Sequence, residues 1–106
     1  GLPLHLETSG VDPLSGRFDL ITLSPKRHQP PLQGVLDSMQ ELKVVIHAAA
    51  DLHFADGMAQ AGQGEALHYL QPGWNSPEGQ QLAIEHVRQN PTWRLSLQTH
   101  KWLGVR

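Results

Sequence analysis

The sequence predicts an α/β fold, a partial parallel (β/α) barrel, and three observations lead there. Five short runs have strand-like patterning, and two of the connections between them carry helical signals. Four of the runs pair an apolar face with a face of hydrogen-bonding or titratable groups. Every run ends in polar or turn residues. Strands alternating with helices build βα units, which place neighbouring strands parallel. A parallel sheet covered by helices on both faces reads as apolar on both. A polar second face therefore points to a barrel or half-barrel lined for a polar ligand.

The first run, Leu2–Glu7 (LPLHLE), sets Leu2, Leu4 and Leu6 against His5 and Glu7. In the second, Phe18–Ser24 (FDLITLS), Ile21 and Leu23 oppose Thr22 and Ser24. In the third, Glu41–His47 (ELKVVIH), Leu42, Val44 and Ile46 oppose Lys43, Val45 and His47. The fourth, Ala66–Gln71 (ALHYLQ), alternates less cleanly, with Tyr69 and Gln71 on one side and Ala66, His68 and Leu70 on the other. In the fifth, Thr92–Gln98 (TWRLSLQ), Leu95 and Leu97 oppose Arg94, Ser96 and Gln98. A helix is expected over Ala49–Ala61, weakened by Gly57, and a stronger one over Pro77–Gln89. Ser76 is suited to cap the second, with Pro77 in its first turn and Asn90-Pro91 stopping it.

With 106 residues, the sequence is expected to form a single domain, 1–106. Its formal net charge of −2 gives no electrostatic footprint for nucleic acid, and no basic cluster argues for a membrane surface. No apolar run approaches the roughly 20 residues of a membrane span, and GLPLHLE does not have the pattern of a signal peptide, so a cytoplasmic location is expected. The absence of cysteine excludes disulfides, thiolate nucleophiles and any Cys-ligated zinc or iron–sulfur cluster held by these residues alone. Seven histidines invite a metal reading, yet neither HExxH nor a His-x-His pair occurs, and no metal ligands are expected. P-loop, GxGxxG and GxSxG motifs are also missing.

Ligands of α/β barrels and sheets bind at the carboxyl ends of the strands. The groups there are Glu7-Thr8-Ser9-Gly10, Ser24-Pro25-Lys26, Gln71-Pro72 and the segment Gln98-Thr99-His100-Lys101. Each has a plain alternative. Ser-Pro favours turns, Gly10 suits a positive φ, Gln71-Pro72 can end a strand, and QTHK can be a solvated tail.

In order and spacing, HLETSG, FDLITLSPK, ELKVVI, YLQP and the terminal RLSLQTHKWLG resemble the C-terminal half of 7-carboxy-7-deazaguanine synthase. That family consists of radical S-adenosylmethionine enzymes of the queuosine and 7-deazapurine pathway. The resemblance implies a modified partial TIM-like barrel that converts a carboxy-tetrahydropterin to 7-carboxy-7-deazaguanine by ring contraction with loss of ammonia. It implies S-adenosylmethionine, a [4Fe–4S] cluster and magnesium as cofactors, the cluster held by three cysteines in the N-terminal half of the family. Carried over by position, Thr8, Ser9, Ser24, Lys26 and Gln71 match cofactor-binding segments, while Gln98, Thr99, His100 and Lys101 match the segment bordering the pterin-like substrate. No catalytic residue is implied here. The segment HAAADLHFADGMAQAGQGEA departs from the family pattern.

Without cysteine, this stretch is expected to be inactive alone and to need a complementing N-terminal half or a homodimeric partner. The alternative is a non-catalytic half-barrel that binds or assembles around a purine- or pterin-like ligand. A His-dependent metal hydrolase is a weaker third reading.

Overall fold

A computed structural model describes residues 4–16, 18–62 and 64–96. Among them five strands form one all-parallel sheet in the order β1-β2-β3-β4-β5. They are β1 (His5–Thr8), β2 (Leu20–Leu23), β3 (Glu41–Ile46), β4 (Leu67–Pro72) and β5 (Trp93–Leu95). Sequential order with right-handed crossovers puts every connecting helix on the same side. Accordingly α1 (Gln33–Ser38), α2 (Ala49–Ala61) and α3 (Pro77–Gln89) pack on the sheet and successively on one another. The sheet is open, a barrel wall rather than a closed barrel.

The side with helices is the core. Leu23, Leu42, Ile46 and Leu70 are fully buried there, beside Ile21, Val44 and Trp93. From the helices come Val35 and Leu36, the neighbouring Met39, then Ala55 and Ala83. The alternation expected in the third run is reproduced, the second buries Ile21 and Leu23 as expected but also Thr22, and β4 resolves with Leu70 inward. His68 lies on the same side, in register with Leu42 and Trp93, its ring 5.1 Å from that of Trp93. Among the described residues its buried Nε2 has no hydrogen-bond partner, and burial lowers its pKa below the usual histidine value.

Strands begin and end within a few residues of the runs expected, with β1 starting at His5 and β5 ending at Leu95. The helix α1 was not expected, being six residues long and preceded by Pro30-Pro31. Its formation follows from burial of Val35, Leu36 and Met39, one helical face at i, i+1 and i+4. The chain stays helical through Gly57, which is exposed and meets no neighbour that a Cβ would touch. Ser76 caps α3 as expected, its Oγ accepting the Gly79 N–H at 3.1 Å. Gly79 lets α3 settle on the end of β3, since a Cβ there would collide with the Ile46 carbonyl oxygen. Gly10 takes φ +81°, and a side chain there would also strike Pro31 and Leu23.

Candidate functional site at the carboxyl ends of the strands

The second side of the sheet is polar and uncovered among the described residues. Register aligns Glu7, Thr22 and Glu41 in one row, and Lys43, Tyr69 and Arg94 in the next. Thr22 Oγ1 donates to Glu41 Oε1 at 2.8 Å. A carboxylate only accepts, so the Thr22 oxygen is left to accept from His5 Nε2–H, 2.9 Å away. Closer to the strand ends, Glu7 Oε1 receives the Ser24 hydroxyl at 3.4 Å and lies 3.7 Å from Lys43 Nζ. Side-chain contacts thus tie β1 to β3 across β2 in two successive layers.

Above these layers a cleft of about 460 Å³ opens at the ends of β2 and β3. Ser24, Lys26, Arg27, His28 and Lys43 supply polar lining, joined by His47 and Asp51 at the start of α2. Pro25, Val45, Ala48 and Phe54 supply an apolar flank. Asp51 sits in the first turn of α2 and accepts the N–H groups of His47 at 2.9 Å and Ala48 at 3.1 Å through Oδ2. Its other oxygen, Oδ1, lies 3.2 Å from Arg27 Nε. The His47 ring fills the space that a Cβ on Gly73 would need.

Of the residues expected at the site, Ser24 and Lys26 meet in this cleft. Gln71 lies on the polar side in register with Val45 but does not line the cleft. Thr8 is in register with Leu23 on the side of the core, and its hydroxyl accepts the Gly10 N–H at 3.1 Å, a turn contact. Ser9 follows it, half-buried, outside the cleft lining. Gln98, Thr99, His100 and Lys101 lie outside the described residues. Arg27, His28, His47 and Asp51 were absent from the expected set. Asp51 three residues into α2 was the readable signal, because an acid there satisfies open N–H groups. Arg27 had no signal beyond adjacency to Ser24-Pro25-Lys26.

No family model matches the chain. A 7-carboxy-7-deazaguanine synthase of Prochlorococcus marinus is 51% identical, across 98% of this chain and 53% of its own length. That of Synechocystis is 43% identical across 100% of this chain and 51% of its own length. That of Flavobacterium psychrophilum is 38% identical across 98% and 50%. Among solved structures, QueE from Escherichia coli superposes with a TM-score of 0.76 at 26% identity, covering 89% of this chain and 44% of that one. The sequential parallel sheet, with the described helices packed on one side, is therefore a part of a TIM-like barrel of the radical S-adenosylmethionine type. Over nearly its whole length the chain is similar to the C-terminal half of 7-carboxy-7-deazaguanine synthases. It spans about half the length of the curated relatives it matches.

The cofactors of that family fit these residues unequally. An iron–sulfur cluster needs thiolate ligands, and this sequence has no cysteine. No three His, Asp or Glu side chains converge as a metal site among the described residues, so a magnesium ion finds no protein cage here. The cleft does suit an organic ligand, having an apolar flank and polar groups on facing walls.

Proposed function

We propose that this chain forms the ligand-holding wall of a 7-carboxy-7-deazaguanine synthase, acting on a carboxy-tetrahydropterin to give 7-carboxy-7-deazaguanine. The cluster thiolates come from residues outside this stretch, so the 106 residues alone cleave no S-adenosylmethionine. The observation that carries the reading is the uncovered polar sheet face leading to a ligand-sized cleft at the carboxyl strand ends, on a chain half identical to such a synthase. Ser24 and Lys26 in the cleft, and Gln71, Thr8 and Ser9 outside its lining, are assigned to S-adenosylmethionine, and Gln98, Thr99, His100 and Lys101 to the pterin. The open outer edge of β1 pairs with a strand from a complementing half or a second copy, since unpaired edges recruit strands. A cytoplasmic site of action accords with this small-molecule chemistry.

The test is complementation. The half of the Prochlorococcus relative that this chain does not match, reconstituted anaerobically, is mixed with this chain, S-adenosylmethionine and carboxy-tetrahydropterin. Product should appear from the mixture and from neither half alone. A mixture that stays inactive while this chain still binds the pterin would replace the reading with a second one. That second reading is a non-catalytic binding module, which the absence of cysteine favours.

A further inference from the structure

Arg27 is a cation of the cleft that the proposed ligand set leaves unused. Its side chain is 56% exposed, against 13% for its partner Asp51. Asp51 is already engaged in capping the start of α2, where Oδ2 holds the His47 and Ala48 N–H groups, and that task needs no arginine. Ion pairs with an exposed partner add little to folding. What the pair does fix is direction. The contact runs through Nε, which leaves the four terminal N–H bonds of the guanidinium on its remaining edges. Among the described residues no second carboxylate pairs with them. Lys26 and Lys43 line the same cleft, Lys43 already paired with Glu7, and the one carboxylate in the lining, Asp51, is occupied.

We propose that Arg27 is the specificity-determining residue of this cleft, its terminal NH2 groups receiving a carboxylate or phosphate oxyanion of a ligand whose apolar body lies against Pro25, Val45 and Phe54. Asp51 is the positioning residue that aims it. The proposal rests on the cleft being a ligand site, as in the reading above, but not on the ligand being a pterin. A planar fork suits oxyanions bidentately in a way that an ammonium does not.

The experiment uses the full chain with three probes, namely inorganic phosphate, pterin-6-carboxylate and unsubstituted pterin. Affinities are measured by calorimetry, and the Arg27 Nε–H resonance is followed by NMR. The wild type should bind pterin-6-carboxylate at least tenfold more tightly than pterin. Arg27→Ala should reduce that preference to twofold or less with an unchanged circular dichroism spectrum, and Arg27→Lys should restore only part of it. Asp51→Asn retains a capping oxygen but releases the guanidinium, and should fall between. An undiminished preference in Arg27→Ala overturns the assignment and leaves the pterin reading standing. Phosphate shifting the Arg27 resonance while neither pterin binds supports the oxyanion role and overturns the pterin reading. Neither anion shifting that resonance overturns the role outright.

Discussion

The two faces of this sheet are built from the same five strands and are held by different forces. On the side of the helices, Leu23, Leu42, Ile46 and Leu70 lose all contact with water, and three helices close over them. On the other side His5, Glu7 and Lys43 keep partial or full exposure and are tied to Thr22, Ser24, Glu41 and one another by side-chain hydrogen bonds and an ion pair, while Arg94 beside them is exposed. Apolar burial contributes roughly 25 cal/mol per Å², whereas a partly hydrated hydrogen bond nets about 1 kcal/mol. Folding free energy is therefore concentrated on one face, and chemistry is free to occupy the other. Residues can be exchanged on the polar face with small loss of stability, which is the condition for shaping a ligand site there.

The largest expected effect lies in the core. Leu70 is fully buried in β4, in register with Val44 and Leu95. Leu70→Ala should cost about 2–5 kcal/mol by lost transfer energy and the cavity left behind. Val45, one residue along β3 from Val44 but 37% exposed on the polar face, is the matched control. Val45→Thr preserves the β-branch and should change stability by no more than about 0.5 kcal/mol. Urea denaturation of both variants measures the contrast. Equal losses would mean that the polar face is covered in solution.

Thr22 sharpens the boundary between the faces. It points to the polar side, yet it is 1% exposed, because His5 and Glu41 flank its hydroxyl. Thr22→Val keeps the shape and removes both hydrogen bonds, but the two partners, neither fully buried, can turn to water. The expected loss is about 0.5–1.5 kcal/mol. A loss as large as that for Leu70 would show the polar layer to be part of the core.

Much of this arrangement was legible in the sequence because period-two alternation reports burial directly. Leu42, Val44 and Ile46 against Lys43, Val45 and His47 already state which side of β3 meets the helices. The capped helix after Ser76 was equally readable, from local chemistry. Short elements were not. The six residues of α1 follow two prolines and contain Gly34, so propensity argued against a helix that the burial of Val35 and Leu36 imposes. The cleft was half legible. Ser24 and Lys26 stand at a strand end, where α/β ligands bind, whereas Arg27 and Asp51 are 24 positions apart and meet only because β3 and the start of α2 fold beside the β2 end. Thr8 shows the opposite case, a residue at a strand end whose hydroxyl is used by the turn itself.

His68 breaks the division of labour, being an ionisable group on the apolar side. It lies in the row of Leu42 and Trp93, its ring tilted against that of Trp93, and its buried Nε2 has no partner among the described residues. Desolvation penalises the imidazolium there, which lowers the pKa in the folded chain below the ordinary 6.5. From the helices, His86 of α3 lies edge-on to Trp93, with Asp56 of α2 3.1 Å from its Nε2. A folded-state pKa below the unfolded one means that, on acidification, the unfolded chain takes up the proton first. The stability contributed by neutral His68 is thus complete above about pH 6.5 and falls as pH drops from there towards the lowered folded value. His68→Phe keeps a ring against Trp93 and removes the titration. Urea midpoints at about pH 7.5 and 5.5 should therefore fall further for the wild type than for the variant, the remaining six histidines being common to both. Equal shifts in the two proteins would mean that water reaches His68 Nε2, and that the apolar face is less sealed at β4 and β5 than Leu70 and Trp93 indicate.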